Sequence, residues 1–192
     1  MTETLYHGSS VNIKKKLKPM GYARHIESNG LYLTESVQLA IGYAMGVDWN
    51  KFDSIDVYNF EKQDWDNFFV LRSKKISLGY VYESETADKQ LVAYYDEKTN
   101  SPLDKDEYKS GAKAVFVSKK ESEISAKHVV NYDFMSQNLH FNKVFALKKG
   151  VHFKKAIEKI NQAAKKTETK DKKEFDAAMK NLNAILDKYT DR

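Results

Sequence analysis

The chain of 192 residues contains no cysteine and only two prolines. Without thiols it has no disulfides, no thiolate nucleophile and no thiolate metal site. It also lacks any apolar run near the ~20 residues that a membrane-spanning helix needs. The opening Met1-Thr2-Glu3-Thr4 is acidic and polar, where a secretory leader is basic and then apolar. A cytoplasmic protein with no membrane partner is therefore expected. The Rossmann (GxGxxG) and P-loop (GxxxxGKS/T) routes to a nucleotide are absent. His25, His128, His140 and His152 have no metal-ligand spacing among them, so no metal is expected.

Aromatic residues and charge are abundant. Twelve Tyr and ten Phe sit in a chain that is 41% hydrophobic and 31% charged, a globular composition. The formal charge of +5 is uneven. Residues 1–150 hold 21 Lys and Arg against 20 Asp and Glu, and residues 151–192 hold 11 against seven. A Lys-rich tail with Glu and Asp interspersed reads as a solvated face. The competing reading makes it a nucleic-acid or protein contact, which for nucleic acid would weaken steeply with salt.

Two short stretches organise the chain: Leu5-Tyr6-His7-Gly8-Ser9-Ser10 and Asn29-Gly30-Leu31-Tyr32-Leu33-Thr34-Glu35-Ser36. The first reads as a strand over 3–7 ending in a His-Gly corner, where a residue without Cβ admits close approach. Residues 11–28 read as a Lys-rich loop anchored by Val11, Ile13 and Leu17. The second stretch is a strand over 30–33. Thr34 or Ser36 then caps a helix whose Val37, Ala40, Ile41 and Ala44 recur at helical spacing and which Gly46 stops. Residues 47–67 read as loop and short helix, a flap over a cleft.

From residue 68 the texture is β. Strands are expected at Phe68–Leu71, Gly79–Tyr82, Leu91–Tyr95, Ala114–Val117, His128–Val130 and Val144–Leu147, with a turn over 96–102. Gly150 separates a tail whose apolar residues mark two helical faces, one from Phe153 to Ala164 and one from Phe175 to Tyr189. The fold class is α+β, with a body over 1–150 and a C-terminal helical hairpin over 151–192.

Tyr6-His7-Gly8-Ser9, then Gly30-Leu31-Tyr32-Leu33, then Ala40-Ile41-Gly42-Tyr43 resembles the diphtheria-toxin and poly(ADP-ribose) polymerase branch of the ADP-ribosyltransferases. That branch carries a His-Tyr-Glu triad on three strands, with a second Tyr eleven residues after the first, as Tyr43 follows Tyr32. The resemblance covers about residues 4–45. It implies split antiparallel sheets with few helices and NAD as substrate. His7 would bond the hydroxyl of the adenine ribose. The backbone of Gly8, with Ser9 beside it, would grip the carboxamide, and Tyr32 and Tyr43 would sandwich the nicotinamide ring. Ala40 stands where polymerases often carry a Ser that helps hold the carboxamide.

The family's third element opens a late strand with Glu. Its counterpart here is Val115-Phe116-Val117-Ser118, which sets Val115 at the acid's place. Glu83, Glu121 and Glu123 remain as candidate catalytic carboxylates, none with a motif. The reaction passes through an oxocarbenium-like state that needs such a charge. The resemblance thus implies single ADP-ribose transfer to an unknown acceptor. The alternative is a catalytically silent module of this fold that binds a nucleotide, nucleic acid or protein.

Overall fold

The computed structural model describes residues 4–19, 30–86, 88–140 and 142–191. Strands run in chain order as β1 (Leu5–Ser9), β2 (Lys16–Leu17), β3 (Leu31–Thr34), β4 (Phe52–Asn59), β5 (Asp64–Leu71), β6 (Gly79–Ser84), β7 (Gln90–Asp96), β8 (Ser101–Asp104), β9 (Lys113–Ser118), β10 (Ser122–Val130), β11 (Lys143–Leu147) and β12 (Thr190–Asp191). The helices among the described residues are α1 (Val37–Met45), α2 (Tyr132–Asn138), α3 (Phe153–Ala164) and α4 (Lys172–Tyr189). The class is α+β, with two antiparallel-rich sheets. The chain divides into two compact units: Met1–Val47 with Ser77–Val130, and Asp48–Ile76 with Asn131–Arg192. The sequence boundary at Gly150 falls inside the second.

The first unit holds an eight-stranded sheet in the order β2-β10-β6-β1-β3-β9-β7-β8. Alternation puts Leu5, Leu31, Leu33 and Tyr82 into one core with Leu17, and Ile13, Tyr80, Phe116 and Ile124 pack around it. Ile13 and Leu17 therefore anchor the Lys-rich run as expected, whereas Val11 is 65% exposed. Residues 20–29, His25 and Asn29 among them, lie outside the described residues. The β1·β6 ladder runs from Leu5↔Ser84 to Ser9↔Tyr80, and the β3·β9 ladder from Leu31↔Ser118 to Thr34↔Val115. Among the described residues, β1 and β3 share a single pair, Tyr6↔Thr34. The sheet is continuous there and its ladder stops beyond.

Helix α1 follows β3 directly. Ser36 is its N-cap, with Oγ accepting from the Leu39 N–H at 3.0 Å, and Gly46 ends it at φ 56°. Ala40, Ile41 and Ala44 form its fully buried stripe.

The second unit holds a four-stranded sheet, β12-β11-β5-β4. Residues 47–67, expected as loop, short helix and flap, instead supply β4 and the first half of β5. These two pair from Phe52↔Leu71 to Asn59↔Asp64. Ile55 and Val57 point inward at a spacing of two, and Asp53, two residues before Ile55, masks the alternation. Gln63, at φ 52°, completes the turn. Ile55, Val57, Phe68, Val70 and Leu147 form one core with Ile157 and Ile160 of α3 and Leu182 and Leu186 of α4. The tail is thus the expected helical pair, and its apolar faces are covered by this sheet. Tyr58 N–H donates to Thr167 Oγ1 at 3.0 Å, tying β4 to the turn between the helices.

Leu182 is fully buried. Leu182→Ala is expected to lower unfolding free energy by about 2–5 kcal/mol. Exposed Lys173→Ala on the same helix should change it by less than about 0.5 kcal/mol. Urea titration of both variants checks the difference.

Candidate functional site

His7, Gly8 and Ser9 occupy the second half of β1, where its ladder with β3 has stopped. In place of a ladder bond, His7 Nδ1 lies 2.9 Å from the Tyr32 carbonyl oxygen. A carbonyl only accepts, so Nδ1 carries the proton. Burial lowers the His7 pKa below its ordinary 6.5, opposed in part by this same hydrogen bond. At neutral pH the ring is therefore uncharged, with Nε2 a bare acceptor. Among the described residues nothing is bonded to Nε2. The ring stands 6.4 Å from that of Tyr82, whose hydroxyl is clamped between the Val11 carbonyl at 3.0 Å and the Ile13 N–H at 2.6 Å.

Gly8 is bare for a reason the sequence does not reveal. A Cβ there would meet the Ala40 carbonyl oxygen at 1.8 Å and the Ala44 nitrogen at 2.9 Å. The backbone of α1 fills that space, and Ala40, fully buried, is part of the same contact. Gly79 on β6 repeats the arrangement, with φ 151° and a would-be Cβ 2.1 Å from the Ala44 carbonyl oxygen. Ser9 Oγ accepts from the Val11 N–H at 3.1 Å and shapes the turn after β1.

Tyr32 lies near enough to Tyr43 to raise its pKa, but alternation from Thr34, which pairs with Tyr6, sets the Tyr32 side chain on the face of the sheet opposite His7, so the imidazole and the two phenols are not brought to one face. Tyr43 is 56% exposed on α1, yet the surroundings of its hydroxyl raise its pKa, and Tyr32 adds to that rise. A third phenol, Tyr95 of β7, was not singled out from the sequence. Burial raises its pKa, a hydrogen bond from Gln38 lowers it, and Glu97, Asp96 and Tyr43 each raise it further. Its hydroxyl donates to Asn100 Oδ1. Ser36 Oγ donates to Glu97 at 2.6 Å, which ties the turn after β7 to the start of α1. The signal for Tyr95 is a long-range contact between residues 43 and 95, which local pattern cannot carry.

The three candidate carboxylates lie elsewhere. Glu83 pairs with Tyr6, so by alternation it shares that residue's face of the sheet, while His7 pairs with Tyr82 on the other. Its carboxylate accepts from His128 Nε2 at 2.7 Å. Glu123 bridges Lys16 at 2.7 Å and Glu121 bridges Lys18 at 3.6 Å, both on the exposed β2 side of the sheet. None is brought to the His7 imidazole. Val115 is 8% exposed and sits opposite Thr34 in the strand beside Tyr32. Glu35 accepts from the Ala114 N–H at 2.8 Å.

No metal-holding group of three or more His, Asp or Glu side chains is found among the described residues, and no helix there is long and apolar enough to cross a membrane. An open surface depression of about 310 Å³ in the second unit, lined by Tyr132, Ser136, Asn142, Lys143, Val144 and Phe145, contains none of the candidate residues. No family model, curated protein or solved structure matches this chain.

Two predictions follow from this geometry. Gly8→Ala should push α1 off the sheet and cost more than about 2 kcal/mol. Gly42→Ala, with nothing within 4 Å of its would-be Cβ, should stabilise the helix by about 0.5–1 kcal/mol. Thermal unfolding of the pair would show shifts of opposite sign.

The second concerns pH. The folded His7 pKa lies below the unfolded value, so the unfolded chain takes up the proton first as pH falls. The stability this group contributes is complete above 6.5. It falls on acidification through 6.5 and levels off below the folded pKa. NMR titration should place the His7 imidazole below 6.5. His7→Gln should remove a one-proton component from the pH dependence of unfolding.

Proposed function

We propose that the first unit binds NAD and transfers single ADP-ribose groups to an acceptor, as a His-Tyr type ADP-ribosyltransferase. The observation that carries this reading is the neutral His7 imidazole, locked through Nδ1 onto the Tyr32 carbonyl and presenting Nε2 as an acceptor. A ribose hydroxyl is a donor of matching chemistry. Tyr43, its pKa raised by burial and by the nearby Tyr32, would with Tyr32 take the nicotinamide ring. Aromatic contact of this kind is worth ~0.5–1.5 kcal/mol beyond burial. Strands β1 and β3 meeting at one pair is also the feature expected of a split-sheet fold.

A second reading is favoured by Val115, which is apolar and buried where the family places its acid. On that reading the unit binds the nucleotide and does no chemistry. Isolated protein incubated with labelled NAD separates the two. Nicotinamide release that falls about tenfold or more in both His7→Ala and Tyr32→Ala supports transfer. NAD or ADP-ribose binding without release supports the silent module. Absence of both binding and release rejects both.

A further inference from the structure

We infer that the solvent face of α3 is a docking surface for the phosphate backbone of a nucleic-acid duplex, which it meets by charge and not by sequence. The inference stands apart from the nucleotide reading of the first unit, since α3 belongs to the second. Of the chain's formal +5, residues 1–150 contribute only +1. Residues 153–167, which make up α3 and the short turn Lys165–Thr167 that continues it, hold five lysines and one acid, Glu158. Residues 168–192 hold six Lys and Arg and six Asp and Glu, the balanced mixture of an ordinary solvated helix. The excess therefore sits on one helix.

That helix separates its two sides completely. Ala156, Ile157, Ile160, Ala163 and Ala164 are buried in the core of the second unit. Every exposed position of 153–167 is Lys, Gln or Glu. Lys155, Lys159, Gln162 and Lys166 recur at i, i+4, i+7 and i+11 and so form one crest, with Lys154 and Lys165 on its flank. Among the described residues none of these lysines bridges a carboxylate, whereas Lys172 on α4 bridges Asp176 at 2.8 Å. At ~1.5 Å rise per residue, the crest from Lys155 to Lys166 spans about 16 Å. A duplex presents one negative charge per ~1.7 Å of its axis, so a crest of this length laid along it meets several phosphates at once. Two features favour this partner over other anionic surfaces. The apolar side of α3 is committed to the core, which leaves the helix nothing to insert into a bilayer. The crest also carries no aromatic ring on which an unpaired base could stack, so paired strands suit it better than a single strand.

Fluorescence anisotropy with two labelled ~20-bp DNA duplexes of unrelated sequence tests this on the full chain, since lysine contacts to phosphate carry no sequence information. The variants are Lys155→Gln with Lys159→Gln on α3, and Lys173→Gln with Lys180→Gln on α4, exchanges that keep helix propensity. The parent should bind both duplexes alike, with affinity falling linearly on a log–log plot against salt. The α3 pair should weaken binding about tenfold or more and make the salt slope shallower by about two. The α4 pair, equal in charge, should behave as the parent. A parent that binds neither duplex at low salt would overturn the inference. So would equal losses from the two pairs, which would mark net charge and not the α3 crest. Displacement of the duplex by the single strand, by anionic phospholipid vesicles or by polyglutamate at equal charge concentration would also sink it, because each assigns the crest to a different partner.

Discussion

Backbone-to-backbone contact between α1 and the sheet is the constraint on which the first unit depends. Two strands carry glycine where the helix crosses them, Gly8 on β1 and Gly79 on β6, and the helix answers with Ala40 and Ala44. Small residues on both sides let the two backbones approach to a distance that a single Cβ would forbid. This seating sets the height and rotation of α1, and with them the place of Tyr43 on it. The N-terminal end of the helix is fixed separately, by the Ser36 cap and by the Ser36–Glu97 bond to the turn after β7. A carboxylate at that end also complements the helix dipole. Tyr43 is therefore positioned by two rigid supports and is still left open on one side.

The same packing explains why His7 is neutral. Next to Gly8 the chain alternates the imidazole onto the face lined by Leu31, Leu33 and Tyr82. Desolvation there disfavours the imidazolium, and the ring is tethered to the Tyr32 carbonyl left where the ladder stops. Interrupted pairing thus has a use: an intact ladder would have consumed that carbonyl and left no tether for the ring. One broken register pair fixes the tautomer, and the tautomer fixes Nε2 as an acceptor.

The local parts of this arrangement were legible in the sequence. Leu31-Tyr32-Leu33 followed by a Ser cap and Val37, Ala40, Ile41 and Ala44 specifies strand and helix within fifteen residues, and the tail's helical faces are equally plain. Features built from long-range register were hidden. The β4–β5 hairpin carries Asp53 at the same parity as its inward Ile55 and Val57, and an exposed Trp65, so its period of two does not stand out until the covering helices are known. Strand β10 begins six residues before the apolar His128–Val130, because its outward positions are charged. Glycine at position 8 reads equally as room for a ligand or room for a helix. Carboxylate spacing says nothing of which sheet face a side chain occupies, which is why Glu83, Glu121 and Glu123 looked equivalent.

Binding and turnover rest on different physical requirements, and the first unit meets them unequally. Holding a ribose and a flat ring needs neutral acceptors and aromatic surface, which His7, Tyr32 and Tyr43 supply without any ionised group. Stabilising an oxocarbenium-like charge needs an anion close to the reacting carbon in a water-poor setting. Each carboxylate considered is already committed: Glu83 to His128, Glu35 to the Ala114 N–H, Glu97 to the Ser36 hydroxyl, Glu121 and Glu123 to lysines. A carboxylate that accepts such bonds is stabilised where it is and must lose them to move. Val115 cannot take their place, and converting it to an acid would bury a charge beside Thr34 with its hydroxyl already given to the Ala114 carbonyl. On the proposed reading, ligand capture asks less of these residues than chemistry does, because chemistry would need a negative charge brought to the nucleotide by the acceptor or by the ligand's own phosphates.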